Sequence, residues 1–66
     1  VNLLVNGESA THPDGTTVLA LVRSMVESER GVAVAVDREV VPRSAWATTT
    51  LADGASVEVL VAAAGG

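Results

Sequence analysis

Apolar residues recur at helical spacing in one stretch of the chain: Val18, Leu21, Val22, Met25 and Val26 stand at i, i+3, i+4, i+7 and i+8. That places them on one face of a single helix, and the rest of the chain must supply the surface against which the face is buried. Thr16 and Thr17 stand where a helix cap is needed, although no Glu or Gln follows three residues later to complete a capping box. Gly31 supplies the positive φ that commonly closes a helix, which predicts about three turns ending before it. Met25 is expected to act as core filler within the stripe.

The segments on either side read as strands. Val1, Leu3 and Val5 alternate with Asn2, Leu4 and Asn6, and Asn6-Gly7 is the strongest short hairpin signal, because a type I′ turn needs positive φ at both central positions. A more polar strand from about Glu8 to His12 should be an edge, ended by Pro13-Asp14-Gly15. Valines alternate with alanines from Val32 to Val36, so both faces are apolar or small and the strand is expected inside the sheet. Asp37 to Glu39 turn the chain, Val40-Val41 forms a short partner strand, and Pro42 stops it. Arg43 to Thr50 is irregular or holds a short helical turn, Asp53-Gly54 turns again, and Ser56 to Val61 is the closing strand. The fold class is α+β, a mixed sheet of five strands packed on one main helix, with residues 1–66 as a single domain.

Composition removes most autonomous chemistry. The chain has no cysteine, so it offers no thiolate nucleophile, disulfide or thiolate metal site. Its one histidine, His12, sits beside a proline in a turn and reads as solvated surface. Glu27 and Glu29, placed on the helix, are two residues apart and do not share a face. No metal site and no catalytic residue is therefore expected. Eight acids against four arginines argue against a nucleic-acid partner and for basic protein partners. Lysine is absent, so the chain cannot grow lysine-linked polymers on itself. No stretch approaches the ~20 apolar residues of a membrane span, and no signal-peptide pattern is present, so a soluble cytoplasmic protein is expected.

Hairpin, helix and then further strands make the helix a crossover between the first hairpin and the later strands. This order resembles the β-grasp, or ubiquitin-like, fold, in which the first and last strands are parallel neighbours at the sheet centre. A tail of residues 62–66, expected to be flexible, would extend up to ~17 Å from the sheet. Its final pair, Gly65-Gly66, closes the sequence, and the terminal carboxylate is expected to be the most reactive group of the molecule.

In family order the chain carries Val5-Asn6-Gly7, Asp14-Gly15-Thr16-Thr17-Val18, Val40-Val41-Pro42-Arg43-Ser44-Ala45-Trp46-Ala47, Leu51-Ala52-Asp53-Gly54 and Gly65-Gly66. These segments resemble the bacterial sulfur carriers of thiamine biosynthesis, the ThiS family, and the Val-Pro-Arg-x-x-Trp run is the most specific of them. Ala55, Leu60 and Ala62-Ala63-Ala64 depart from the residues common in that family.

The resemblance implies a protein substrate, not an enzyme, with no bound cofactor. An E1-like adenylyltransferase (ThiF type) would join Gly66 to AMP from ATP. A persulfide donor such as a cysteine desulfurase would then leave a thiocarboxylate, and a thiazole synthase (ThiG type) would take the sulfur. Gly65, Ala64, Ala63 and Ala62 would thread the partner's channel, where absent side chains help. The Gly-Gly end equally suits the molybdopterin-synthase small subunits. From other classes, a non-catalytic β-grasp interaction module or an RNA-binding β-grasp domain remains open.

The strand alternation also sets out a docking surface. If Leu3, Val57 and Val59 face the helix, Leu4 and Leu60 point from the opposite side near Ala33 and Ala35, forming a shallow apolar patch for the activating enzyme. Trp46 is expected to anchor the irregular segment, and Arg43 and Arg38 to be solvated or to meet an acidic partner rim.

Overall fold

In the computed structural model, which describes residues 1–62, Asn6 and Gly7 have φ of 51° and 81° and fold β1 (Asn2–Val5) back onto β2 (Glu8–Thr11). The two-residue loop fixes the antiparallel register Val5 opposite Glu8 and Leu3 opposite Ala10. A turn at Pro13 to Gly15, closed by Thr16 N–H on the Pro13 carbonyl at 3.2 Å, leads to the helix α1 (Val18–Met25).

Thr17 caps α1, its hydroxyl accepting from Ala20 N–H at 3.2 Å. The next donors do not reach solvent either: Val18 N–H bonds the Thr49 carbonyl at 2.9 Å and Leu19 N–H bonds that of Trp46 at 3.1 Å. Val18, Leu21 and Val22 are buried, as the stripe requires.

The helix is shorter than its periodicity suggests. Val26 has φ −132° and ψ 150°, so its backbone is extended, and its N–H makes the last helical bond to the Val22 carbonyl. Met25 is 43% exposed and is not core filler, because the chain leaves the helix before that turn can be covered. Glu27 and Glu29 consequently lie in the following loop and not on the helix. Gly31 does take a positive φ, 71°, but it serves the turn into β3 and does not close the helix.

β3 (Val32–Val36) and β4 (Glu39–Val41) are joined by Asp37 and Arg38, with φ of 49° and 70°. A two-residue loop without glycine is costly at the arginine. Its rigidity comes from β5 (Ser56–Val61): Asp37 N–H bonds the Ser56 carbonyl at 2.8 Å and Ser56 N–H bonds the Asp37 carboxylate at 3.0 Å. After Pro42 a 3₁₀ turn, Arg43–Ala45, carries the chain across the open end of the sheet to the start of α1.

Among the described residues the sheet has five strands in the order β2-β1-β5-β3-β4. β1 and β5 run parallel at its middle, β3 pairs antiparallel with both β5 and β4, and β2 is an edge. Leu3, Val5, Val34, Val57 and Val59 face α1, and Trp46, Leu51 and Ala55 complete the buried core. β3 lies inside the sheet, yet only Val34 is fully buried, because Ala33 and Ala35 look out of the face that no helix covers.

Candidate functional site

The expected chemistry lies beyond β5, and the surrounding structure holds that strand at both ends. At its start Asn2 N–H bonds the Asp53 carboxylate at 2.7 Å, Gly54 N–H bonds the Asn2 carbonyl at 2.7 Å, and the Asp37–Ser56 pair holds the other edge. At its far end β1 has already turned away, and the Asn6 side chain takes over from the backbone. Its carboxamide oxygen accepts from Val59 N–H at 2.8 Å and its nitrogen donates to the Val59 carbonyl at 3.2 Å. On the β3 side Val61 stands opposite Val32, and one residue further Ala62 N–H bonds the Gly31 carbonyl at 2.8 Å. Of the sequence-expected tail 62–66, Ala62 is thus tied to the sheet, while Ala63, Ala64, Gly65 and Gly66 lie outside the described residues.

The face opposite α1 holds the expected docking residues, and it divides them. Leu60 stands opposite Ala33, and Ala35 stands between Glu58 and Val40. Leu60 is 64% exposed and Val40 78%, and with the two alanines they line a shallow hollow of about 80 Å³ whose rim carries Glu58. Leu4 shares the face, but it lies between Ser9 of β2 and Ser56 of β5. Four residues along β5 from Ser56 to Leu60 correspond to about 13 Å, so Leu4 is a separate apolar spot. Val40 takes its place in the patch. The signal for it was the turn: a two-residue loop at Asp37-Arg38 pairs Val40 with Ala35, whereas a three-residue turn does not.

Trp46 is buried at 1% exposure, and its indole N–H bonds the Val41 carbonyl at 2.9 Å, as expected of a packing anchor. Above its ring lies the Arg43 guanidinium, 5.9 Å from the centroid. Glu29 meets both Arg23, at 3.5 Å, and Arg43, at 3.9 Å, joining the loop after α1 to the helix and to the 3₁₀ turn.

A larger groove of about 250 Å³ runs between β2 and α1, floored by Val5, Ala10, Leu21 and Met25, with His12 on its wall. Among the described residues no three His, Cys, Asp or Glu side chains converge to hold a metal ion, and no helix is long and apolar enough to cross a membrane.

The family model of the ThiS family matches residues 1–66, the whole chain. The chain belongs to the ThiS family. It is 29% identical to the sulfur carrier protein ThiS of Escherichia coli (strain K12), over all of both chains. The crystal structure of the thiamine biosynthesis protein ThiS from Geobacter metallireducens superposes with a TM-score of 0.83 at 35% identity, covering all of both chains. A solution structure of a thiamine biosynthesis protein from the same organism gives 0.80 at 33% identity, covering all of this chain and 88% of the other. The mixed sheet on one helix is therefore the β-grasp fold of ThiS. In this ThiS chain the Val41-Pro42-Arg43-x-x-Trp46 run is the segment that ends β4 and plugs the core with the indole.

Proposed function

We propose that this chain is a sulfur carrier of thiamine biosynthesis, that the carboxyl carbon of Gly66 bears the sulfur, and that it is a substrate of other enzymes and not an enzyme itself. The match to the ThiS family across residues 1–66, Gly65-Gly66 included, carries this reading. A carboxylate at neutral pH is charged and resonance-stabilised, hence a poor acyl donor until it is activated. In the proposed route an E1-like adenylyltransferase lets a Gly66 carboxylate oxygen attack the α-phosphorus of ATP, with pyrophosphate leaving. The outer sulfur of a donor cysteine persulfide then displaces AMP to give an acyl disulfide. A second thiol attacks the cysteine sulfur of that S–S bond, releasing the thiocarboxylate and leaving a disulfide on the donor side; a thiazole synthase then takes the sulfur. The ATP belongs to the adenylyltransferase, and the carrier itself binds no cofactor. On this route the carrier works in the cytoplasm, where ATP and the persulfide donor occur.

The structure supports the geometry of this reading. β5 is the central strand, paired with β1 at its start and with β3 along its length to Val61, so the residues after it follow directly from the middle of the sheet. From Ala62 the four residues to Gly66 span at most ~14 Å, enough to enter a partner's active site while the domain stays outside. The hollow of Leu60, Ala33, Ala35 and Val40 beside β5 is the surface we assign to docking. Incubation with ATP, the thiazole-pathway adenylyltransferase and a sulfur source, followed by intact-mass spectrometry, tests the proposal: one terminal oxygen is exchanged for sulfur. A chain whose mass is unchanged under conditions that load another ThiS protein refutes it, and full biological activity of Gly66→Ala identifies an interaction module instead.

A further inference from the structure

The hydrogen bond between Ala62 and Gly31 lies outside the five paired strands, yet among the described residues it is the backbone bond nearest the acyl-bearing end. Without it the paired register of the sheet ends at Val61 opposite Val32. With it the ladder gains one more rung, Ala62 N–H to the Gly31 carbonyl at 2.8 Å.

Gly31 suits this place for two reasons. Its φ of 71° is in the left-handed region, which L side chains rarely adopt. A Cβ on it would also stand 3.4 Å from the Ala62 Cβ, at van der Waals contact, so a side chain branched at Cβ is crowded against Ala62. The turn that presents the Gly31 carbonyl is itself held: two residues earlier Glu29 is paired with Arg23 and Arg43.

Resting on the sulfur-carrier reading above, we propose that Gly31 is a positioning residue for the reactive end: its carbonyl fixes the point and direction at which the chain leaves the sheet. Productive docking must order the residues from the last fixed point to the acyl carbon, and each further residue that has to be ordered weakens it. Releasing Ala62 adds one such residue, which corresponds to roughly a tenfold loss in kcat/KM for adenylation. The loss falls on KM, since the acyl carbon and ATP are unchanged once the end is seated.

The test measures ATP–pyrophosphate exchange by the adenylyltransferase together with hydrogen exchange of the Ala62 amide. The parent chain supports ATP–pyrophosphate exchange and protects that amide. Gly31→Val raises KM about tenfold and exposes the amide. Gly31→Asn, which tolerates positive φ, stays near the parent in both. Should Gly31→Val fail to fold, an amide-to-ester exchange at residue 62, with lactate in place of alanine, removes only the donor and gives the same rise in KM. A folded Gly31→Val chain or an ester chain with an exposed or absent rung but the parent KM overturns the positioning role and leaves the carrier reading standing. A parent that supports no exchange overturns the carrier reading, and the positioning role with it.

Discussion

Asn6 and Val59, 53 residues apart, are joined by two hydrogen bonds in which the asparagine carboxamide replaces a peptide group. Asn6 thereby has two tasks. Its backbone, at φ 51°, makes the hairpin turn, and its side chain continues the parallel β1–β5 ladder past the point where β1 has turned away. Asn6→Gly keeps the turn and removes the carboxamide, leaving the Val59 N–H and carbonyl to water. The expected cost is about 1–2 kcal/mol in urea unfolding, with faster hydrogen exchange at the Val59 amide. Unchanged stability and exchange would mean that the ladder needs no such extension.

Trp46 closes the core from the side of the chain that has least regular structure. Trp46→Ala empties a buried indole and should cost about 3–5 kcal/mol, enough to leave a domain of this size largely unfolded. Trp46→Phe separates packing from polarity: most of the ring remains, and the bond to the Val41 carbonyl is lost. That variant should fold with about 1–2 kcal/mol less stability, a fall in melting temperature of about 4–16 °C. Equal stability of Trp46→Phe and the parent would show the indole N–H to be replaceable by water.

The face opposite the helix makes a prediction about two leucines that their sequence alternation treats alike. Leu60 lies in the hollow with Ala33, Ala35 and Val40, whereas Leu4 lies between two serines. Leu60→Asp should weaken binding to the adenylyltransferase by about 10- to 100-fold, the worth of one buried leucine. Leu4→Asp should change it by less than about threefold. Leu60 is 64% exposed, so Leu60→Asp should shift folding stability by no more than about 0.5 kcal/mol, whereas Leu4, at 44%, loses more covered surface and Leu4→Asp should cost about 1 kcal/mol. Equal losses for the two, measured by titration calorimetry, would extend the interface across the whole sheet, and no loss for either would move it elsewhere.

What could be read from the residues was what local chemistry dictates. Asn6-Gly7 forces a two-residue hairpin wherever it occurs, Pro42 ends a strand because it has no N–H, and the stripe from Val18 to Val22 has no other face to bury. These were enough to order the elements into the β-grasp. The errors arose where a distant partner overrides a local preference. Val26 continues the helical spacing, but its backbone is extended and the helix stops at Met25, leaving the following loop to reach Arg23 and Arg43 through Glu29. Gly31 announces a positive φ without saying that Ala62 is what it meets. Asp37-Arg38 carries no glycine, so its tight turn and the placement of Val40 depend on bonds from Ser56, 19 residues on. The Asn6 carboxamide could not be assigned for the same reason: nothing near it in sequence is its partner.

The last expectation concerns Gly65. In the proposed route an extended segment enters the adenylyltransferase until the Gly66 carboxylate lies against the α-phosphate, with ATP already occupying its share of the site. A side chain one residue before that carboxylate must pass the same opening, and a β-branched one also restricts the backbone to fewer conformations. Gly65→Val should therefore reduce adenylation by at least about 100-fold, comparable to a misplaced reacting atom. Urea unfolding of the same variant should match the parent, which separates the loss of adenylation from a folding defect. ATP–pyrophosphate exchange at saturating ATP is the direct measurement, and equal rates for Gly65→Val and the parent would show that the opening is wide enough for branched side chains. That result would move the requirement for small residues from the channel to the final glycine alone.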